Sequence, residues 1–269
     1  MFFVVIIYKQ LVTAPNSQSA LDILAIAAHR DDVEQTCGGT LLKMAQGGHR
    51  TGILDLTRGE MGTRGTSEDR EREANEAARV LRVTWRSALD IPDGRVENTW
   101  VNRLKIAQVV RQTRPRVVIL PYWKGRHPDH YTCSTVGYEA CFLAGLKKLE
   151  MGARLRAEGI DSELGDDLPP HRPFKIIYAT LYYDVRPTFV VDISEQFEDR
   201  FAALMAYKSQ FDDQQVGSDI FPAQQEIRDR IHSMARFYGM MAGVKYAEPF
   251  LQKEVGLVQD LLALPVQSI

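Results

Sequence analysis

Short apolar runs rich in β-branched residues alternate along this chain with longer stretches of helical periodicity. This alternation is typical of βαβ units, in which a mostly parallel sheet carries helices on both faces. Strands are expected at Leu21–Ala28, Thr51–Leu56, Val117–Leu120, Ile176–Leu181 and Phe189–Val191. Helices are expected near Val33–Gln46, Ser67–Arg82, Thr99–Thr113, Thr132–Leu149, Glu195–Gln210 and Ala223–Met241. The pattern therefore predicts an α/β fold.

Local signals support several of these boundaries. Thr66 and Asp69 match a capping box ahead of the second helix, and Gly47-Gly48 can end the first helix by adopting positive φ. The stretch Ala157–Arg172 is rich in glycine, proline and aspartate, which indicates a polar surface loop or a lid.

Length and charge narrow the class of protein. A chain of 269 residues suits one large α/β domain, which we place at residues 19–269, with residues 1–18 as a leader or an extra strand. Lysine and arginine total 33 against 35 acidic residues, so the net charge of −2 predicts neither a nucleic-acid nor a membrane partner. The expected partner is a small molecule.

The cysteines indicate a reducing compartment. There are three of them, Cys37, Cys133 and Cys141, with no C-x-x-C pair, which is a poor framework for disulfides. We therefore expect a cytoplasmic protein in which the cysteines are small apolar core residues, although Cys37 and Cys133 lie close enough to the motifs below to be considered as ligands.

Two polar motifs carry the candidate chemistry. His29-Arg30-Asp31-Asp32 follows the first predicted strand, and His127-Pro128-Asp129-His130 follows the third. Ligands bind outside the carboxyl ends of strands in open α/β sheets, so both motifs are expected at one edge. Histidines and aspartates are costly to bury at such a position unless they bind a metal or pair with one another.

The ligand types suggest a catalytic zinc site. We assign His29, Asp32 and His130 as ligands, because three protein ligands and an open position are typical of catalytic zinc, although iron, manganese and cobalt accept the same ligand types. Asp31 is then available as general base and acid, and a protonated His127 could stabilise an oxyanion. Asp129 is expected to orient an imidazole, with a helix N-cap as the alternative.

A third segment, Leu56–Gly65, is called the glycine loop below and follows the second predicted strand. Its glycines predict a close approach of backbone to a ligand, with Arg58, Glu60 and Arg64 available to a polar substrate. A solvated turn is the alternative. The loop matches neither G-x-x-x-x-G-K-[ST] nor G-x-G-x-x-G, which argues against a phosphate-binding loop.

These motifs together resemble the zinc-dependent N-acetylglucosaminyl deacetylases of the LmbE/PIG-L family. The resemblance covers about residues 20–252 and is closest to the bacillithiol-biosynthesis branch, on the segments Pro121–His127, Asp184–Ser194 and Gly243–Phe250. It implies a Rossmann-like fold, zinc on the three ligands assigned above, and hydrolysis of N-acetylglucosaminyl malate to free amine and acetate. It also implies a homo-oligomer, because members of this branch are commonly hexamers.

The resemblance has one departure and one consequence for substrate binding. The family usually has proline where this chain has Arg30, which either loosens the loop or places a cation near the site. A malate group carries two carboxylates, so Arg126 and Arg186 join Arg58 and Arg64 as candidate partners, with salt bridging as the alternative for Arg64 and Arg186.

Two other functions fit parts of the sequence. A metal-dependent phosphoesterase could use a similar sheet, although a two-metal site generally needs further ligands and the chain offers no third histidine motif. A non-catalytic sugar-binding protein would follow if Arg30 marks lost activity.

Overall fold

The computed structural model describes residues 20–160, 168–180, 183–212 and 222–264. Its strands are β1 (Ile23–Ala27), β2 (Thr51–Asp55), β3 (Trp85–Ala88), β4 (Val117–Pro121), β5 (Lys175–Ala179), β6 (Phe189–Asp192) and β7 (Ala247–Leu251). In this part of the chain they form one seven-stranded sheet of order β3-β2-β1-β4-β5-β7-β6. The first five strands are parallel, and β7 runs antiparallel to both β5 and β6.

The helices are α1 (Asp32–Thr36), α2 (Gly38–Gln46), α3 (Ser67–Val80), α4 (Trp100–Thr113), α5 (Pro128–Ala144), α6 (Met151–Ala157), α7 (Phe197–Met205), α8 (Lys208–Phe211) and α9 (Gln224–Ala242), with a 3-10 turn at Leu261–Ala263. They cover both faces of the sheet. On β1, Leu24 and Ile26 pack in a core with residues of α4 and α5, whereas Ala25 and Ala27 pack in a second core with α1 and α2. The predicted mostly parallel, doubly covered α/β fold is confirmed as a single domain.

Two strands, β3 and β7, were not predicted from the sequence, and each has a physical reason. β3 is a short edge strand with no fully buried residue, and its sequence includes Arg86 and Ser87, so it lacks an apolar run. β7 contains Glu248 and Pro249, which are rare inside sheets. Glu248 is nevertheless buried, because it accepts hydrogen bonds from the Gly39 and Thr40 amides at the start of α2.

That Glu248 contact also explains why the predicted helix Val33–Gln46 is split into α1 and α2. A Cβ atom at Gly39 would lie 3.0 Å from both Glu248 Oε1 and Ile193 Cδ1, so a larger residue there would force these side chains to shift. The predicted helix Glu195–Gln210 is likewise divided, at Ala206-Tyr207, where the buried Tyr207 turns into the core. The predicted helix Thr132–Leu149 instead begins at Pro128 and ends at Ala144.

The predicted loop or lid at Ala157–Arg172 falls only partly within the described ranges, since residues 161–167 lie outside them. His171 contacts the Pro115 carbonyl oxygen through Nε2 at 2.7 Å, and Arg172 lies over the Phe142 ring. His171 and Arg172 therefore pack against the residues before β4 and against α5 respectively. The leader at residues 1–18 and the strand end at Leu181 also lie outside the described ranges.

Within the described ranges, we find no helix with both the length and the apolar character needed to cross a membrane.

Candidate active site

The site lies where the strand order reverses. β1 is flanked by β2 on one side and β4 on the other, so the loops that follow β1 and β4 leave the same edge in opposite directions. Such a crevice at the carboxyl ends of strands is where open α/β sheets bind ligands. The loop after β1, Ala28–Asp31, which continues into Asp32 at the start of α1, is called the β1 loop below; it faces His127 and His130 at the start of α5.

The three predicted metal ligands meet here. His29 Nδ1 lies 3.1 Å from His130 Nε2 and 3.4 Å from Asp32 Oδ2, and His130 Nε2 lies 3.1 Å from Asp32 Oδ1. The His29 amide also donates to Asp32 Oδ2, which fixes the carboxylate toward the imidazoles. Two histidine nitrogens and the two oxygens of the Asp32 carboxylate thus lie close together, and these three side chains are called the donor triangle below.

This triangle has the size of a metal coordination face. Tetrahedral zinc with bonds of about 2.0–2.1 Å holds its ligand atoms about 3.3 Å apart, which matches the observed separations. Burial disfavours a charged His29, but the Asp32 charge and hydrogen bonds with Asp129, Asp32 and Asp93 outweigh it and raise the pKa of His29 to about 12. A field that favours a proton at this point also favours a metal cation, so the donor set fits a divalent ion.

The outer nitrogen of His29 faces two further carboxylates. Nε2 lies 3.1 Å from Asp93 Oδ1 and 3.4 Å from Asp129 Oδ2. Metal-binding histidines commonly donate their second ring N–H to a carboxylate, which fixes the tautomer and the ring orientation. The placement of Asp129 agrees with the predicted role of orienting an imidazole. The N-cap alternative is wrong, because His127 is the N-cap of α5 and its Nδ1 accepts from the Asp129 amide.

Asp31 is held from two sides at the pocket wall. Its Oδ1 accepts from Arg70 at 3.0 Å and its Oδ2 accepts from Gln35 at 3.0 Å. Arg70 comes from α3, its side chain is 5 % exposed, and its Nε has no hydrogen-bond partner among the described residues. Asp31 is therefore positioned beside the donor triangle but is not part of it.

His127 is exposed at the mouth of the pocket, with its ring centroid 4.8 Å from that of His29 and 4.9 Å from that of His130. Burial, together with the neighbouring charges of His29 and His130, lowers the pKa of His127. Because Nδ1 accepts from the Asp129 amide, the neutral ring carries its proton on Nε2. A lowered pKa favours the neutral His127 ring, in which Nε2–H is the available hydrogen-bond donor.

Arg30 points away from the pocket. It is 4 % exposed, and its guanidinium donates to the Ser67 carbonyl at 2.8 Å, at the start of α3. The lining residues of the pocket do not include it. Arg30 therefore ties the β1 loop to α3, and its guanidinium does not line the pocket.

A network of buried side chains hydrogen-bonds the Arg30 carbonyl oxygen. Both Arg86 and Tyr207 donate to it. Arg86 in turn pairs with Glu34 at 2.6 Å and with Asp55 at 2.9 Å. Since an uncompensated buried charge is costly, these groups depend on one another and hold the β1 loop in one geometry.

The predicted substrate residues are placed very differently from one another. Arg126 lines the pocket and is exposed. Arg64 is buried and exchanges reciprocal bonds with Gln210, through its guanidinium and its carbonyl oxygen. Glu60 accepts from the Asp93 and Arg58 amides. The lining residues in the described part of the chain include none of Arg58, Glu60, Arg64 and Arg186.

The glycine loop approaches protein as closely as it approaches the pocket. Gly59, at φ +71°, would place a Cβ atom 3.3 Å from the Arg70 guanidinium carbon, and a Cβ atom at Gly65 would lie 2.7 Å from Ser209. Gly59 and Gly62 also line the pocket, which has a volume of about 640 Å³. The close approach of backbone to a ligand stays a prediction; the close neighbours that the structure shows are the side chains of Arg70 and Ser209.

Among the charged residues that line the pocket, sequence reasoning missed three: Arg70, Asp93 and Lys124. Asp93-Gly94 is a recognisable turn dipeptide, but the unrecognised β3 hid its position at the edge of the sheet. Arg70 lies four residues after the Thr66 cap, on the buried side of an otherwise charged helix.

The cysteines are not part of the donor set. Cys37, Cys133 and Cys141 are free and buried, and burial raises the pKa of each thiol. The interpretation as small apolar residues is supported, although Cys37 does line the pocket.

Comparison with known proteins places this geometry in a family. Residues 24–141 match the family model described as PIG-L, GlcNAc-PI de-N-acetylase. The chain is 31 % identical over 237 residues to the diacetylchitobiose deacetylase of Thermococcus kodakarensis, covering 84 % of this chain and 80 % of that protein. The chain belongs to the PIG-L family.

Two solved structures extend this result. The conserved protein TT1542 from Thermus thermophilus superposes with a TM-score of 0.74 at 38 % identity, covering 89 % of this chain and 98 % of that one. The N,N'-diacetylchitobiose deacetylase from Pyrococcus horikoshii, complexed with its inhibitor MPG, gives a TM-score of 0.71 at 25 % identity, covering 87 % and 84 %. The PIG-L fold thus spans nearly the whole described chain.

Proposed function

We propose that this PIG-L protein is a zinc-dependent hydrolase that removes the acetyl group from an N-acetylated amino sugar. One observation carries the proposal: the His29, Asp32 and His130 donor atoms lie 3.1 to 3.4 Å apart, with Asp31 beside them at the wall of an open pocket. The deacetylase names of the curated relative and of a solved neighbour support the same reaction class.

The residues divide the reaction among them. His29, Asp32 and His130 would hold the metal, and the chemistry that zinc supplies when bound is Lewis acidity toward water and a carbonyl oxygen. Asp31 takes a proton from the attacking water and returns it to the leaving nitrogen. His127 donates a hydrogen bond from Nε2–H to the carbonyl oxygen as negative charge develops there and keeps its proton. Arg70 and Gln35 hold Asp31 in position.

We propose N-acetylglucosaminyl malate as the substrate, which would place the reaction in bacillithiol biosynthesis. Support comes from the cationic side of the pocket mouth, where Lys124 and Arg126 are both exposed and can meet the malate carboxylates. Arg58 and Arg186 lie outside the lining, so we assign them no contact with the sugar.

We also propose a cytoplasmic homo-oligomer, with a hexamer as the form to test by light scattering. The buried free cysteines support a reducing compartment. Exposed apolar side chains at the end of α9, Phe237, Met240 and Met241, offer surface for association.

The experiment measures free amine released by metal-loaded protein from N-acetylglucosaminyl malate, diacetylchitobiose and N-acetylglucosamine. We expect release from wild type and a fall in kcat of about 10²–10⁴-fold in Asp31→Asn, with zinc retained. Asp22→Asn is the matched control, because Asp22 precedes β1 at the opposite end of that strand and bonds the Arg50 amide. No amine from any of the three sugars, despite bound zinc, would overturn the proposal.

The aglycone is tested separately by comparing the malate conjugate with its uncharged dimethyl ester. Lys124 and Arg126 can bind carboxylates but gain little from esters, so kcat/KM should be about tenfold or more higher for the charged conjugate. Equal values would refute malate as the aglycone and leave deacetylation intact.

A further inference from the structure

The loop that follows β4 forms part of the pocket mouth, yet one of its residues turns away from the pocket. We call residues 122–126 the β4 loop. Four of its five residues line the pocket, and the exception is Trp123. The Trp123 side chain packs against the core that contains α4 and α5, and its ring lies edge-on to that of Tyr178 on β5, with 4.8 Å between the ring centroids. Trp123 therefore attaches the β4 loop to the rest of the fold.

The β4 loop depends on this packing because it has few polar contacts. At its start, the Tyr122 amide donates to the Ala179 carbonyl oxygen at 2.7 Å. Residues 123–126 make no hydrogen bond to any other residue in the described ranges. Segments with so few contacts are the ones most prone to local opening. The positions of Lys124 and Arg126 at the mouth thus follow from the placement of Trp123.

The ammonium group of Lys253, two residues after β7, contacts three aromatic rings. Its Nζ lies 5.1 Å from the centroid of the Trp123 ring. It lies 4.7 Å from that of Tyr138 on α5 and 4.9 Å from that of Tyr178 on β5. We call these three rings the aromatic cage. A cation is attracted to the face of an aromatic ring within about 6 Å, so the cage links the β4 loop to the chain after β7.

We propose that Lys253 is a positioning residue, whose ammonium fixes Trp123 in the aromatic cage and thereby fixes the substrate-binding side chains of the β4 loop. Lys253 does not itself line the pocket. The Trp123 ring lies 4.5 Å from that of Tyr122, which does line it. The inference rests on the proposed function, in which Lys124 and Arg126 meet the carboxylates of the malate group.

The burial of the cage sets the size of the expected effect. Cation–π contacts change an equilibrium by a factor of about 2 at exposed sites and about 30 where the groups are desolvated. Tyr178 is 1 % exposed, whereas Tyr138 is 42 % exposed, so the cage lies between these limits. The effect belongs in KM, because Asp31 and the three proposed metal ligands lie outside the β4 loop.

The first test is Lys253→Met, which removes the charge and keeps a long side chain. KM for N-acetylglucosaminyl malate should rise about three- to tenfold with kcat within twofold of wild type. Lys253→Arg should keep KM within twofold, because a guanidinium also binds ring faces. An unchanged KM in Lys253→Met, or an equal rise in Lys253→Arg, would overturn the inference and leave the proposed function standing.

The matched control is Lys245→Met. Lys245 Nζ lies 5.0 Å from the centroid of the Tyr246 ring, and neither residue lines the pocket. Lys245→Met removes the same charge from a similar contact, so it should leave KM within twofold of wild type. A rise in KM equal to that of Lys253→Met would overturn the inference. Thermal unfolding checks that every variant folds.

A double-mutant cycle tests whether Lys253 acts through Trp123. Trp123→Leu should raise KM at least as much as Lys253→Met does, and adding Lys253→Met to it should change KM less than twofold. Additive increases would show that Lys253 acts on the malate carboxylates as a distant charge, which would overturn the inference. Trp123→Met replaces Trp123→Leu if the latter does not fold.

Tryptophan emission decides the question if no amide is cleaved at all. The chain has three tryptophans, Trp85, Trp100 and Trp123, and the charge of Lys253 lies close to the third. Lys253→Met should change the emission of wild type and leave that of Trp123→Phe unchanged. This result would support the positioning role while the proposed reaction fails. An emission that Lys253→Met leaves unaltered in wild type would overturn it.

Discussion

The β1 loop and the glycine loop follow neighbouring parallel strands at one edge of the sheet, yet they are built in opposite ways. The β1 loop is fixed from below by Arg86 and Tyr207 and laterally by the Arg30 contact to Ser67. Five of the ten residues of the glycine loop are exposed, and the contacts described above attach it through Arg64, Gly65 and Glu60. Two of the three proposed metal ligands, His29 and Asp32, lie on or directly after the β1 loop, whereas the glycine loop contributes Gly59, Met61 and Gly62 to the pocket lining and none of its charged side chains.

Of the variants that test the difference between the two loops, Arg86→Met is expected to have the largest effect, a loss of stability. The change leaves Glu34 and Asp55 buried without their cationic partner and removes a donor from the Arg30 carbonyl oxygen. Breaking a buried ion pair costs about 3–5 kcal/mol, so the free energy of unfolding should fall by that amount in urea denaturation. Arg79→Met, on the exposed face of α3, is the control and should behave as wild type. Similar losses in both variants would contradict a rigid β1 loop.

Asp93→Asn should have an intermediate effect. Asp93 lies 3.1 Å from the outer nitrogen of His29, and the loss of such a carboxylate typically weakens metal binding by about 10–100-fold. Competition with a chelator measures this affinity. Asp90→Asn is a control three residues away, where the carboxylate pairs with Lys105. Unchanged affinity in Asp93→Asn would show that Asp129 alone orients His29.

The smallest effect is expected from Glu60→Ala in the glycine loop. Glu60 accepts two backbone hydrogen bonds in an exposed setting, so the free energy of unfolding should fall by less than about 1 kcal/mol. Since Glu60 does not line the pocket, KM should change less than threefold. A tenfold rise in KM would instead restore the prediction that Glu60 contacts substrate.

The same comparison explains what the sequence could predict. His29, Asp31 and Asp32 are close together in the chain at the end of a clear apolar strand, and His130 follows another, so their convergence follows from topology alone. Arg70 reaches the site from α3, and Asp93 reaches it from the loop after β3, a strand that was not predicted. No local sequence pattern indicates that either residue lies at the site.

Arg64 and Arg30 show a second limit of prediction from sequence: residues that lie next to a motif in the chain can face away from the site. Both are arginines next to predicted motifs, and their residue type suits a carboxylate ligand. Their actual partners, the Gln210 and Ser67 carbonyl oxygens, lie 146 and 37 positions away in the chain, and only the folded structure makes those contacts apparent.

The central claim is that His29, Asp32 and His130 together hold one metal ion, and the metal content of purified wild type and His130→Ala measures it most directly. The account predicts about one zinc per chain in wild type, the usual occupancy of a three-ligand catalytic site, and loss of most of it in His130→Ala. Undiminished zinc in the variant would contradict the donor assignment. Two ions per wild-type chain would instead favour the metal-dependent phosphoesterase over the deacetylase.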